Sequence, residues 1–404
     1  MANLRDRLKR IQELKKNEKP RVKEQETDDY SILTENGWET CGYKVLRREI
    51  SVNAPFNTRA ELPQPLAILV PDLAGRSLPA PEDFLFFDLE TTGLSGGAGT
   101  LAFLAAFGRA VSGGKFHVTQ YLLLDYPGEN DFLEAALKEF ENERSVIVSY
   151  NGKCFDSQIL KTRCLMNRIK PPVYRHADLL HPARRLWKNV INDCSQASIE
   201  TRILGIDRSG DTPGSLAPEI WFEFLRTGET ERLISICDHN CADITGLSSI
   251  LAAMISIAFD PVDCEIHYDL ERLALYWRGF LRTTEQLKSG AQFDNLRITG
   301  DRLLRLAADK NYPYAAFVYA VDQMRKSNFE EGRKRLLKIA NGEFPQNVKS
   351  QALRALAIDS ERRLKSIEEA LEYVNMGLEL EEAGVFRRSE FEKRKERLEE
   401  KLKS

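Results

Sequence analysis

Short apolar runs alternate with amphipathic stretches through the middle of the chain. Apolar runs of strand length, FLFFDLE among them, occur at 84–90, 101–110, 116–124, 146–150 and 173–176. Segments whose apolar residues recur every three or four positions predict helices over 130–143, 154–168, 179–187, 216–227 and 230–257. Three successive strands followed by alternating helices and strands predict an α/β fold, with a sheet of mixed direction and helices on its faces.

The region before this pattern has a different character. Residues 1–29 mix basic and acidic side chains with few apolar ones, which predicts a flexible or partner-docked tail. Patchy alternation over 38–54 is typical of a hairpin, and six prolines between residues 54 and 83 indicate a covering linker. We therefore expect an N-terminal region over 1–83 and an α/β domain over 84–258.

The chain after residue 265 has a helical composition, rich in Leu, Ala, Glu, Lys and Arg. The segment LLRLA at 303–307 returns as LLKIA at 336–340, a shift of 33 residues, and FEEG at 329–332 returns as IEEA at 367–370, a shift of 38. Such a period favours stacked helix hairpins similar to tetratricopeptide repeats, with a plain helical bundle as the alternative. We expect an α-helical, tetratricopeptide-like domain over 266–404.

Composition and charge narrow the class of protein. The 404 residues include 58 Lys and Arg against 61 Asp and Glu, a net charge of −3, which excludes a uniformly basic protein but not a local positive face. We find no uninterrupted apolar run of membrane-spanning length and no apolar core typical of a secretory signal at the N-terminus. The seven scattered cysteines are too few for a disulfide scaffold. We expect a soluble, cytoplasmic protein without a membrane partner.

Two acidic residues lie at the end of the first apolar strand of the α/β domain. Asp88 and Glu90 are two positions apart, so their side chains lie on one face of that strand. Like charges at such a place are unfavourable unless a cation or hydrogen bonds compensate them. Mg²⁺ prefers oxygen ligands, and the pair therefore indicates a cation site.

Three further residues have the chemistry of the same kind of site. Asp156 follows the strand VIVSY at the first turn of a predicted helix, where it also suits the helix dipole. His239 and Asp243 are four positions apart in another predicted helix, so they share a face. A histidine beside a carboxylate is suited to accept a proton near neutral pH, although such a pair also stabilises an ordinary amphipathic helix.

Together these motifs resemble the DEDD superfamily of 3′–5′ exonucleases, which has a ribonuclease-H-like fold. The resemblance rests on DLETTG at 88–93, Asp156 and HNCAD at 239–243. GLSGGAGTLAF after the first motif and DLLHPARRLW at 178–187 are similar to a subgroup, the YprB-type predicted exonucleases, several of which carry helical repeats after the nuclease domain.

The resemblance implies phosphodiester hydrolysis with two Mg²⁺ or Mn²⁺ ions. Asp88, Glu90 and Asp243 would be metal ligands, Asp156 would hold the second ion, and His239 would be the general base. One departure concerns the base: His239 precedes Asp243 by four residues, the spacing of the tyrosine-type members, whereas the histidine-type members use five. Its contact with the attacking water is therefore open at this point.

A polyanion requires a positive surface near the carboxylates. Residues 161–188 contain eight basic side chains against one acidic one, and Arg184, Arg185 and Trp187 offer charge with a stacking surface. The alternative is a solvated helix face with Trp187 in the core. The resemblance adds three nucleic-acid contacts at the cleft: Thr92, Leu94 and Asn151.

The sequence thus predicts a 3′–5′ exonuclease that acts on nucleic acid, DNA or RNA and mainly single-stranded. The helical domain is expected to present a surface for a protein partner or for substrate. Two alternatives stay open: an inactive scaffold that binds nucleic acid or protein, and an endonuclease on the same fold.

Overall fold

A computed structural model describes residues 31–56, 61–74, 77–93, 99–111, 113–284, 291–380 and 385–403. The expected N-terminal tail over 1–29 and the expected nucleic-acid contact Leu94 lie outside these residues. The strands are β1 (Glu39–Gly42), β2 (Val45–Asn53), β3 (Phe84–Thr91), β4 (Ala102–Val111), β5 (Lys115–Leu123), β6 (Val146–Ser149) and β7 (Arg175–Asp178).

Helices cover both faces of the sheet and make up the C-terminal region. Those of the α/β part are α1 (Ser31–Glu35), α2 (Leu66–Leu69), α3 (Glu129–Leu137), α4 (Asp156–Met166), α5 (Leu180–Trp187), α6 (Gln196–Arg202), α7 (Ala217–Thr227) and α8 (Glu231–Phe259). Those that follow are α9 (Leu270–Thr284), α10 (Ala291–Asp309), α11 (Pro313–Arg325), α12 (Phe329–Asn341), α13 (Gln346–Asp359), α14 (Ile367–Leu378) and α15 (Val385–Lys403).

The seven strands form one mixed sheet in the order β1-β2-β5-β4-β3-β6-β7. β3, β4 and β5 form an antiparallel meander, and β6 and β7 run parallel to β3. The mixed sheet predicted from the sequence is confirmed. The hairpin expected over 38–54 is β1 and β2, and it extends the sheet because β2 pairs along its whole length with β5.

Alternation along β3 explains how one strand serves two cores and a site. Phe84 and Phe86 are buried in the core on one face of the sheet, and Leu85 and Phe87 are buried in the core on the other. Asp88 and Glu90 continue the face of Phe84 and Phe86. The apolar part of β3 therefore fixes the strand between two layers of helices, and its end delivers both carboxylates to one side.

The longest helix, α8, crosses the meander. Its length and composition alone would allow it to span a membrane, but most of its apolar side chains are buried, and the helix packs against β3, β4 and β5. It is thus the central helix of the core, and its middle turn lies next to the end of β3.

Several elements differ from the sequence-based expectation, and the short helices α1 and α2 were not predicted. β7 begins at Arg175 rather than at 173, because Val173 is 93% exposed and belongs to the connection before the strand. Helix α6 was not predicted: its sequence QASIETR is short and polar, with Ile199 as its one buried apolar side chain. A side-chain cap stabilises its start, where Ser195 Oγ accepts a hydrogen bond from the Ser198 amide at 3.3 Å.

The C-terminal region is entirely helical within the described residues, as expected from its composition. Its first helix packs on α5. The segment just before that helix is bonded to α5 as well: Trp187 Nε1 donates to the His267 carbonyl at 3.0 Å, and the Asp269 amide donates to the Leu186 carbonyl at 2.8 Å. From α9 to α15, each helix packs against the next one in the chain.

Candidate active site

Four carboxylates from three separate elements line one cleft of about 250 Å³. Asp88 and Glu90 come from the end of β3, Asp156 is the first residue of α4, and Asp243 lies in the middle of α8. His239 lines the same cleft, one helical turn before Asp243. The convergence inferred from the sequence for these five residues is therefore what the fold produces.

The carboxylates raise one another's proton affinity. Desolvation raises the pKa of Asp88 well above its usual value, and the charges of Asp156, Glu90 and Asp243 raise it further. Glu90 has a raised pKa for the same reasons, first burial and then the charges of Asp243 and Asp156. Burial raises the pKa of Asp156 to about 7. The cleft thus brings together four acidic groups that repel one another when they are ionised.

A neutral amide provides partial compensation at Asp88. Asn240 Nδ2 donates a hydrogen bond to Asp88 Oδ2 at 2.7 Å, and Gln120 Nε2 donates to Asn240 Oδ1 at 3.0 Å. Asn240 is fully buried, so these two hydrogen bonds fix the orientation of the Asp88 carboxylate. Sequence reasoning missed Asn240, although its place beside His239 in HNCAD was a usable signal.

His239 is held between two acidic side chains. Its Nδ1 lies 2.9 Å from Asp211 Oδ2, and its Nε2 lies 3.4 Å from Asp243 Oδ2. Gly214 allows this arrangement, because a Cβ at that position would lie 2.8 Å from Nε2 of the imidazole. The spacing of four residues therefore does bring the His239 ring to the cleft, with Asp211 as a partner that the sequence did not reveal.

Arg208, in the connection between α6 and α7, is a further residue that the sequence analysis missed. Its guanidinium forms an ion pair with Asp243, lies 3.0 Å from Asp211 Oδ2 and lies 3.4 Å from Glu200 Oε2. The local sequence IDRSGD is polar and aperiodic, so nothing in it distinguishes Arg208 from a solvated loop residue.

The donor set suits a hard divalent cation, because all four cleft acids present oxygen ligands. Within the part of the chain that the structure describes, no three donor groups already converge on one point as metal ligands do. Two of the acids have other partners: Asp88 accepts from Asn240, and Asp243 pairs with Arg208. Asp243 would have to exchange Arg208 for the cation.

A buried acid orders the connection that carries Asp156. Asp178, at the end of β7, accepts hydrogen bonds from the amides of Asn151 at 2.8 Å and Lys153 at 3.1 Å. Asn151 has a positive φ of 65° and is exposed at the rim of the cleft. This bonding explains how the turn after β6 brings both Asn151 and Asp156 to the site.

The structure corrects part of the expected nucleic-acid surface. Trp187 is fully buried and its indole N–H is bonded to the backbone, so the expectation of a stacking surface was wrong. Arg185 donates to the Leu69 carbonyl at 3.0 Å and its guanidinium carbon lies 3.8 Å from the Tyr276 ring centre, so it serves internal packing. The burial has a physical cause: α9 packs over this face of α5.

Three other residues of the expected nucleic-acid surface differ in their exposure and contacts. Arg184 is exposed on α5. Thr92 is partly buried directly after β3, where its Oγ1 accepts a hydrogen bond from the Leu101 amide at 2.9 Å. Arg163, one of the eight basic residues, forms an ion pair with Glu129 in which both side chains are 12% exposed. The positive face is therefore smaller than the sequence suggested.

Comparison with known proteins agrees with this architecture. Residues 85–255 match the RNase_H superfamily, and the match includes all four cleft acids and His239. The fold of this region is ribonuclease-H-like. The chain is also 39% identical over 175 residues to the uncharacterized protein YprB of Bacillus subtilis (strain 168). That alignment covers 43% of this chain and 42% of YprB, so the chain matches less than half the length of this relative.

Proposed function

We propose that the protein is a nucleic-acid hydrolase, specifically a metal-dependent 3′–5′ exonuclease. The observation that carries this proposal is the convergence of four carboxylates, from three elements of a ribonuclease-H-like fold, on one cleft. Burial, and then repulsion from the neighbouring acids, raises the pKa of Asp88 and Glu90. Such a concentration of negative charge costs stability unless a cation site compensates it, which supports a functional role.

Two Mg²⁺ or Mn²⁺ ions are the cofactors that this donor set fits. Asp88, Glu90 and Asp243 would hold one ion and Asp156 the other. When bound, such ions stabilise the charge on the entering and leaving oxygens of a phosphoryl displacement. The single-stranded 3′ end of DNA or RNA is the proposed substrate.

The proposed role of His239 is to take the proton of the attacking water. Asp211 would accept the Nδ1–H hydrogen bond, which leaves Nε2 as the basic nitrogen. Nε2 is the ring nitrogen that lies nearer to Asp243. Asp211 therefore acts as a positioning residue, because it orients the imidazole and fixes its tautomer.

The C-terminal helices are proposed to stack as tetratricopeptide-like hairpins that bind a protein partner or the substrate. The two internal sequence similarities support this, because they relate equivalent helices: 303–307 in α10 to 336–340 in α12, and the start of α12 to the start of α14. A cytoplasmic location is proposed because all seven cysteines, each within the described residues, are unpaired.

Labelled oligonucleotides test the proposed activity directly. Single-stranded DNA and RNA, labelled at the 3′ or the 5′ end, are incubated with Mg²⁺, with Mn²⁺ and with chelator. We expect metal-dependent release of the 3′ label first, with progressive shortening of the 5′-labelled strand. Asp88→Asn should be inactive, whereas Asp294→Asn, an exposed carboxylate on α10, should match the wild type.

Each other outcome selects one of the alternatives. Cleavage of a circular strand would indicate an endonuclease on the same fold. Binding of the oligonucleotide without metal-dependent cleavage of any substrate would indicate an inactive scaffold.

A further inference from the structure

Arg208 is buried among acidic side chains, although it lies in an irregular connection. Its side chain is 10% exposed, and it contacts carboxylates from three separate segments. Asp243 belongs to the cleft, Asp211 holds His239, and Glu200 belongs to α6. A guanidinium is always charged and has five donors, so it can serve several carboxylates at once.

Glu200 holds Arg208 at this place. Its side chain is completely buried, and Gly246 of α8 makes room for it, since a Cβ there would lie 1.8 Å from Glu200 Oε1. Gln196 Nε2 donates both to Glu200 Oε1 at 2.9 Å and to the Asp243 carbonyl at 2.7 Å. These contacts link α6 to the turn of α8 that carries Asp243.

The Arg208–Glu200 contact is electrostatic rather than a formed hydrogen bond. Glu200 Oε2 and Arg208 Nε are both buried without a hydrogen-bond partner among the described residues. The guanidinium instead donates a hydrogen bond from Nη2 to Asp243, and its Nε lies 3.0 Å from Asp211 Oδ2 without forming one. Arg208 is therefore anchored by a buried anion while its charge is directed at the cleft.

We propose that Arg208 is a built-in counter-ion of the carboxylate cleft, a positioning residue that competes with divalent cations for Asp243 and so sets the metal affinity. This inference rests on the proposed metal-dependent function. Without metal, the guanidinium offsets repulsion among the cleft acids. A cation that takes Asp243 must displace this contact, and Glu200 and Asp211 still hold the positive charge beside the cleft.

If Arg208 competes with the cation, its removal should strengthen metal binding while it weakens the fold. Arg208→Gln removes a positive charge close to the cation, so Mn²⁺ should bind more tightly, by about tenfold. The same variant leaves the cleft acids uncompensated, so it should melt at a lower temperature in chelator than the wild type. Added Mn²⁺ should largely close that gap. A purely structural role predicts lower stability with unchanged or weaker metal binding.

Isothermal titration of the full-length, chelator-stripped protein with Mn²⁺ measures the affinity independently of turnover. The panel is the wild type, Arg208→Gln, Arg208→Lys and Arg202→Gln, the last being an exposed arginine at the end of α6. Arg208→Lys should bind Mn²⁺ with an affinity between those of the wild type and Arg208→Gln, because one ammonium cannot contact all three carboxylates. Arg202→Gln should equal the wild type.

The outcomes separate two failures. Absence of Mn²⁺ binding by the folded wild type would refute the proposed metal-dependent function itself. Binding by the wild type with equal or weaker binding by Arg208→Gln would overturn the counter-ion inference alone. If Arg208→Gln does not fold, Arg208→Lys tests the inference. Mn²⁺ binding by Arg208→Lys that is equal to or weaker than that of the wild type would also be incompatible with competition.

Discussion

The buried carboxylates of the cleft and the buried carboxylate of Glu361 have opposite electrostatic surroundings. In the cleft, burial and neighbouring acids raise the pKa of Asp88 and Glu90. In the C-terminal region, Glu361 follows α13 in a π-helical turn, and hydrogen bonds from the basic side chains of α15 lower its pKa to about 2.

The two cases differ in what the chain supplies. Glu361 accepts hydrogen bonds from Arg394 and Lys401, each at 2.8 Å, and from Arg397 Nη2 at 2.7 Å. The cleft acids receive one neutral amide at Asp88 and one guanidinium at Asp243. Glu361 is thus matched with three cations from its own chain, whereas the described residues supply the four cleft acids with one guanidinium, that of Arg208.

The largest effect is expected from neutralising the cleft. Asp88→Asn removes a proposed metal ligand, and we expect the release of labelled nucleotide to fall by about 10³-fold or more. Stability in chelator should stay level or rise, because one of several repelling charges is removed while the Asn240 contact can be kept. Thermal melting and the labelled-strand assay check both parts. If the variant keeps its turnover or unfolds, Asp88 serves the fold as Glu361 does, and the proposed difference between the two sites is wrong.

The second effect concerns His239, which lies between Asp211 and the cleft acid Asp243. Removing a general base lowers rates by roughly 10²–10⁴-fold, so His239→Ala should lose at least about 100-fold in turnover. Mn²⁺ affinity should change little, because the proposed ligands are carboxylates. His117→Ala, at an exposed position of β5, is the matched control. A rate near that of the wild type would remove His239 from the proposed mechanism.

A substitution at Glu361, in the C-terminal region, should lower the stability of the protein and leave its turnover unchanged. Glu361→Gln removes the charge that three basic residues share, and we expect the free energy of unfolding to fall by about 2 kcal/mol, the scale of hydrogen bonds to charged groups. Turnover should not change. Denaturant unfolding measures the loss, with Glu372→Gln, an exposed glutamate on α14, as the control.

The pH dependence of that loss follows from the sign of the shift. The folded pKa of Glu361 is about 2, below the ordinary value of 4.5, so ionised Glu361 favours the folded state. Its contribution is full above about pH 5 and declines as the pH falls from there toward 2. The difference between wild type and Glu361→Gln should shrink over this range. A difference that is constant down to pH 2 would contradict the assignment.

Local periodicity was sufficient to predict the central sheet, whereas the convergence of the cleft acids was implied by the resemblance to the DEDD exonucleases. β3 alternates Phe84, Phe86 and Asp88 on one face, and this pattern can be read from seven consecutive letters. Arg208 could not be predicted in this way, because its partner Asp243 is 35 residues further along the chain. The burial of Trp187 likewise depends on His267, 80 residues away.

Local sequence also could not distinguish Arg184 from Arg185, because their surroundings depend on residues far away in the chain. The smallest effect is expected at Arg184. Arg184 is exposed, whereas Arg185 is bonded to Leu69 and packed on Tyr276. Arg184→Glu should weaken binding of single-stranded DNA a few-fold and reduce the slope of log affinity against log salt by about 1.

Titrations at several salt concentrations measure that slope, with Arg226→Glu, exposed on α7, as the control. Arg185→Glu should instead lower the melting temperature, because it places an acid between a carbonyl and an aromatic ring. An Arg184→Glu slope equal to that of the wild type would place the nucleic acid elsewhere. The cleft acids would then still need a positive surface to bring a polyanion to them, and the exposed bases of α4, including Lys161, would be the next to reverse.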